Sequence, residues 1–133
     1  MRSPLTYKRI GTGLSALLIL LTLLLVASCG VAKRASRTPE TDALFRAVRA
    51  GSADTVKALL VSPNVDVNAT DEHGNTPLIE AARLGHNDIV RALLIAKADL
   101  KVKNDDGKTA LMLASEGGHD ETVRALTEAG AGK

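Results

Sequence analysis

A chain of 133 residues has room for one domain, and its 45% hydrophobic and 24% charged content excludes a fibrous or fully disordered polymer. The formal charge of +2 conceals an asymmetry, because all 15 acidic residues lie at Glu40 or beyond, where only 11 of the 17 basic ones are found. That part carries −4 and lacks the basic surface that nucleic-acid binding requires; Tyr7 and Phe45 are the only aromatics of the whole chain, too few for a stacking platform, and the single Cys29 excludes an intramolecular disulfide.

Residues 1–29 begin with Arg2, Lys8 and Arg9, continue as an apolar run from Leu14 to Val26, and reach Cys29 through Ala27 and Ser28. This is the charged, apolar and small-residue order of a secretory signal peptide, and the apolar run is shorter than the roughly 20 residues a membrane-spanning helix needs. Leu25-Val26-Ala27-Ser28-Cys29 resembles a bacterial lipobox. The resemblance implies cleavage before Cys29 and acylation of its thiol, with 1–28 as signal peptide and 29–40 as lipidated N-terminus and linker. Gly30, rather than aspartate, follows the cysteine, which by the same resemblance implies the outer membrane, facing the periplasm. In the linker, Lys33, Arg34 and Arg37 are expected to be solvated, with contact to anionic lipid headgroups as the alternative.

The array that follows is expected to occupy 41–133. A first helix is predicted from Thr41 or Asp42, with Leu44, Ala47 and Val48 on one face and Gly51 as its stop. A second is expected from about Ser52 to Val61, with Ser52 as N-cap, Asp54 in the first turn and Val56, Leu59 and Leu60 on the apolar face. The loop around Ser62-Pro63-Asn64 holds one extra residue, because Gly51 to Asp66 is one position longer than Gly85 to Asp99.

The stretch from Asp71 to Lys103 is the template. Displaced by 33 positions it sets Gly74 on Gly107, Thr76 on Thr109, Leu78 on Leu111, Ala81 on Ala114, Gly85 on Gly118, His86 on His119, Val90 on Val123 and Leu93 on Leu126. Gly74 suits the left-handed tip of a turn, Thr76 an N-cap, and Pro77 a first helical position, where no N–H is needed. Ala81 and Ala82 leave room for close helix approach. This period, with T-P-L at its head and G-H at its middle, resembles the ankyrin repeat, as does Asp66-Val67-Asn68-Ala69 before it. The resemblance implies an all-α repeat solenoid of about three ankyrin repeats, helix-turn-helix units with short β-hairpin-like turns, at about 41–70, 71–103 and 104–133. Ile79 and Met112 stand where that family usually has histidine, so those turns are expected to be held by packing. Thr127 replaces the leucine at Leu60 and Leu94, as suits a terminal repeat that meets water.

No nucleophile motif or phosphate loop is visible, and an enzyme, a cofactor and a bound metal are not expected. Helices in adjacent repeats stand about 8–10 Å apart, too far for His86 and His119 to share an ion, so both are read as structural. His73 beside Asp71 and Glu72, and Asp105 with Asp106, are read as solvated turn tips.

The family resemblance places partner contacts on the tips and first helices: Glu72, His73, Asn75, Arg83 and Leu84 in the second repeat, and Asp105, Asp106, Lys108, Glu116 and Gly117 in the third. The first repeat offers Arg49 and Ala50. The acidic tips predict a protein partner with a basic patch. The expectation is a monomeric, lipid-anchored adaptor of the bacterial envelope. Its alternatives are an immunity protein against an envelope-targeted toxin and a stress-protection partner of a periplasmic enzyme.

Overall fold

The computed structural model describes residues 37–131, which contain six helices and no strand. They are α1 (Pro39–Ala50), α2 (Ala53–Leu60), α3 (Pro77–Leu84), α4 (Asn87–Ile95), α5 (Ala110–Glu116) and α6 (Asp120–Ala131). Consecutive pairs form three helix-turn-helix units. α1, α3 and α5 pack side by side as one layer, and α2, α4 and α6 as the other. Cys29 and the expected leader lie outside the described residues, as do Lys33 and Arg34.

Each unit buries one face against its neighbours. Leu44, Val48, Val56, Leu78, Val90 and Leu93 are all fully buried, and Ala47, Ala81 and Ala114 sit where the first helices meet. Alanine there admits the close backbone approach anticipated from the sequence. Thr76 and Thr109 cap α3 and α5 by accepting from the Ile79 and Met112 backbone N–H groups, at 3.2 and 3.4 Å. Ile79 is buried, which bears out packing at that turn, whereas Met112 is 49% exposed.

The start of the array differs from expectation. Helix α1 begins at Pro39, with Thr38 as its N-cap, rather than at Thr41 or Asp42. Thr38 Oγ1 accepts from Thr41 N (3.2 Å) and donates to Asn64 O (2.9 Å), while Thr41 Oγ1 accepts from Asp66 N (3.2 Å). An added N-terminal turn of helix thus occupies the place of the missing hairpin. The Thr-Pro pair carried the signal, since proline favours a first helical position behind a threonine cap. Arg37 is no free linker cation: its guanidinium lies 5.1 Å from the Phe45 ring centroid and 3.7 Å from Asp42. Ser52 does stand at the N-cap of α2, but its hydroxyl is bonded to Thr55 Oγ1 at 2.7 Å and caps no backbone N–H.

Candidate protein-binding surface

The tips are built by side chains that imitate a backbone turn. Asp71 Oδ1 accepts from the N–H groups of His73 and Asn75, both at 2.9 Å, and Asn104 Oδ1, 33 positions on, accepts from Asp106 (3.1 Å) and Lys108 (2.9 Å). Gly74 at φ 73° and Gly107 at φ 73° close these loops in the left-handed region. Neighbouring tips are linked by Asp105 N donating to His73 O (3.0 Å) and by Asn104 Nδ2 donating to Asn75 Oδ1 (3.0 Å). The β-hairpin-like turns are therefore single turns cross-linked between repeats.

Two expected surface residues are consequently interior. Asn75 is buried between tips and links Asp71 to Asn104. Asp71 is likewise 5% exposed rather than solvated. Both exchange water for several hydrogen bonds, the only condition under which burial of such groups is tolerable.

Asp71 also belongs to an ionic cluster that spans two repeats. Glu80, on the first turn of α3, is 4% exposed. Its Oε1 takes Arg83 Nη2 at 2.9 Å and Arg49 Nε at 3.3 Å, and its Oε2 takes Arg83 Nε at 3.1 Å. Arg49 Nη2 reaches Asp71 Oδ2 at 3.2 Å. The carboxylates are nearly buried, whereas the Arg49 and Arg83 side chains are 52% and 50% exposed. A visitor from solvent therefore meets guanidinium first. Arg49, Asp71, His73, Asn75, Glu80, Arg83 and Leu84 line one open depression of about 530 Å³. Of the expected contact residues, it brings Arg49, His73, Asn75, Arg83 and Leu84 together.

The remaining ones form a flanking surface. Glu72, Asp105, Asp106, Gly117 and Ala50 are exposed. Lys108 and Glu116 pair with each other at 2.7 Å, so in the third repeat that pair occupies the equivalents of Asn75 and Arg83. The Glu116 carboxylate raises the Lys108 ammonium above its ordinary range, by its hydrogen bond first. Residue identity alone gave little warning of Glu80. The available signal was its i, i+3 spacing to Arg83 on a predicted helix, with Arg49 one repeat earlier.

The Glu80 carboxyl is held below its ordinary value of 4.5, first by the hydrogen bonds from Arg83, against burial, which acts in the opposite direction; Arg49 adds to the lowering. A carboxylate depressed on folding contributes stability that is present above its unfolded pKa and lost as pH falls through the folded value. Urea melts should therefore show Glu80→Gln less stable than the parent by about 1–3 kcal/mol at pH 7. The gap should narrow below the ordinary carboxylate range as the parent protonates. A gap independent of pH would mean that the cluster is not ionic.

His86 and His119 do more than pack within their own units. Each ring reaches back over the glycine that ends the preceding first helix. A methyl carbon placed on Gly51 would lie 3.0 Å from His86 Cε1, and one on Gly85 would lie 2.5 Å from His119 Nδ1. His119 Nε2 lies 3.2 Å from Arg83 O. The structural role expected of these histidines is thus to join one repeat to the next. Among the described residues there is no group of three or more histidine, cysteine, aspartate or glutamate side chains arranged to hold a metal ion, and no helix is long and apolar enough to cross a membrane.

Comparison with known proteins agrees with this architecture. The family model described as ankyrin repeats (3 copies) matches residues 16–104 and 44–133. Human ankyrin repeat domain-containing protein 29 is 44% identical over 66 residues, which are 50% of this chain and 22% of that protein. Its Danio rerio counterpart is 42% identical over 66 residues, with the same two shares. Human neurogenic locus notch homolog protein 4 is 44% identical over 66 residues, 50% of this chain and 3% of that protein. The chain thus spans less than a quarter of the length of these relatives, and what it shares with them is the repeat unit. Three stacked units, joined by the backward-reaching histidines and cross-linked tips, are a protein-interaction module, and the chain belongs to the ankyrin-repeat family.

Proposed function

We propose that the array is a lipid-anchored adaptor that holds another protein at the bacterial cell envelope through the surface formed by its tips and first helices. The observation that carries the recognition part is the depression between the first and second repeats. Half-exposed Arg49 and Arg83 stand there over buried carboxylates, beside exposed His73 and the part-buried Leu84. Guanidinium heads already fixed by carboxylates lose little freedom when a partner docks, which favours specific contact. The flanking Asp105 and Asp106 are acidic and exposed, so the partner carries a basic patch that meets the tips, with acceptors opposite the arginines.

The anchoring part rests on the order of charge, apolar run and lone Cys29 in the first 29 residues. An acylated Cys29 on the outer membrane leaves the array in the periplasm. Inhibition of an envelope-directed toxin and support of a periplasmic enzyme are two uses of the same surface.

One experiment separates the two parts. The full chain is expressed in a two-membrane bacterium with a radiolabelled fatty acid, and the envelope fraction is cross-linked. Label on the parent, and none on Cys29→Ser with its release from membranes, is the expected result. A specific cross-linked partner should be lost with Asp105→Lys plus Asp106→Lys while the label remains. Unlabelled parent would refute the anchor, and equal partner recovery from the charge-reversed variant would refute the contact surface.

A further inference from the structure

The repeat pattern accounts for Asp66-Val67-Asn68-Ala69 but not for the Thr70 that follows, where the next repeat has Lys103. Asn68 is the one asparagine in the chain with a hydroxyl residue two positions on. Asn68-Ala69-Thr70 is therefore an acceptor pattern for N-linked glycosylation, which admits any residue but proline in the middle. The stretch lies in the loop between α2 and α3, outside any helix, with Asn68 and Thr70 exposed and Ala69 tucked beneath them at 8% exposure. Asn75, followed by Thr76 and Pro77, lacks the pattern; it is also buried, with both ends of its amide engaged.

The Asn68 side chain is held by one edge only. Its Oδ1 accepts from Asp99 N of the following repeat at 2.8 Å, and its own backbone N–H donates to Asp66 Oδ1 at 2.9 Å. A backbone N–H can only donate, so the atom that faces Asp99 is the oxygen and the amide nitrogen Nδ2 is the one left over. Nδ2 has no hydrogen-bond partner among the described residues, and neither has the Thr70 hydroxyl. The two groups that define the acceptor pattern thus stand unengaged on exposed residues of one loop.

We infer that Asn68 is a glycosylation site, which takes an oligosaccharide from a polyprenyl-pyrophosphate donor through an envelope oligosaccharyltransferase. The inference rests on the export half of the function proposed above, because such donors are used on the far side of the cytoplasmic membrane. In the transfer, Nδ2 attacks C1 of the first sugar. The bond from C1 to the pyrophosphate oxygen breaks, its electron pair leaves with that oxygen, and one Nδ2 proton passes to a base of the transferase. The product still has Oδ1 as an acceptor, so the bond from Asp99 N is kept. Since the sugar is carried on Nδ2 of an exposed loop residue, it disturbs neither the core nor the link between the second and third repeats.

The deciding experiment incubates the full chain, folded in non-ionic detergent, with a solubilised oligosaccharyltransferase and a polyprenyl-pyrophosphate-linked oligosaccharide of known mass. Intact-mass spectrometry should show the chain heavier by one oligosaccharide, and peptide mapping should place it on Asn68. Asn68→Gln should abolish the gain. Thr70→Val, which leaves both Asn68 hydrogen bonds in place, should abolish it as well, while Thr70→Ser keeps it; circular dichroism verifies that the variants retain their helices. An unmodified parent would overturn the inference, and so would a sugar that persists in Asn68→Gln or Thr70→Val. The same mass measurement on the fatty-acid-labelled chain, from a two-membrane bacterium supplied with that transferase and donor, separates the site from export. Sugar gained in the tube by a chain that leaves the cell with neither label nor sugar would refute export and uphold the site. A chain labelled on Cys29 yet without sugar would overturn the site.

Discussion

Leu93→Ala is expected to destabilise the array by about 2–5 kcal/mol, measured by urea denaturation followed by circular dichroism. Leu93 lies on α4, the middle helix of its layer, and is fully buried. Removing three side-chain carbons forfeits their transfer free energy and leaves a cavity whose walls are fixed by helices on both sides. The loss is large against the whole, because a domain of this size has a total stability on the order of 5–15 kcal/mol. Stacked repeats draw much of their stability from interfaces with neighbours, so a defect in the central unit weakens both interfaces at once. The equivalent Leu126→Ala, on the last helix, has a neighbouring repeat on one side and should fall at the lower end of the same range. Equal losses at the two positions would contradict this account of neighbour coupling.

Gly85→Ala should cost about 2–4 kcal/mol, a value reached only by a few mechanisms, among them backbone strain and overpacking. Gly85 ends α3 at φ 73°, donating to the carbonyls of Ala81 and Ala82. A left-handed L-residue costs roughly 1–2 kcal/mol. The added carbon also meets the His119 ring, at 2.5 Å from Nδ1 and 2.8 Å from Cγ, so the ring must swing away. Its contact with Arg83 O is then lost, and with it one fastening between the second and third repeats. The comparison variant is Gly118→Ala, which shares the backbone conformation at φ 70° but meets no neighbour. It isolates the strain, and the excess loss at Gly85 measures the histidine contact. If the two variants melt alike, the histidines contribute nothing to stacking.

The residues that repeat were the ones legible beforehand. Leu78, Ala81, Val90 and Leu93 recur because each unit presents the same side to its neighbour, and burial follows the period at Ala114 and Leu126, though Leu111 is 41% exposed. The caps at Thr76 and Thr109 were equally visible, since capping depends on local sequence alone. Less was legible at the contact surface. Asn75 and Asp71 look like solvated turn residues, yet they are buried because the tip of the third repeat lies against that of the second. Glu80 sits amid apolar residues and gains its place only from Arg49, 31 positions earlier, and from Arg83. Arg37 reads as linker until Phe45 and Asp42 are brought beside it.

By itself the sequence determined the class of architecture, the number of units and the positions of their turns, because periodic burial, helix capping and left-handed glycines are properties of short segments repeated at a fixed interval. The expectation of a leader ending at Cys29 rests on its pattern of charge and hydropathy alone. The tertiary structure decided which charged groups face solvent and which histidine fastens which pair of repeats. Those outcomes depend on the sideways displacement of one unit against the next. That displacement brings residues about 30 positions apart within hydrogen-bonding distance, and nothing local to either residue encodes it.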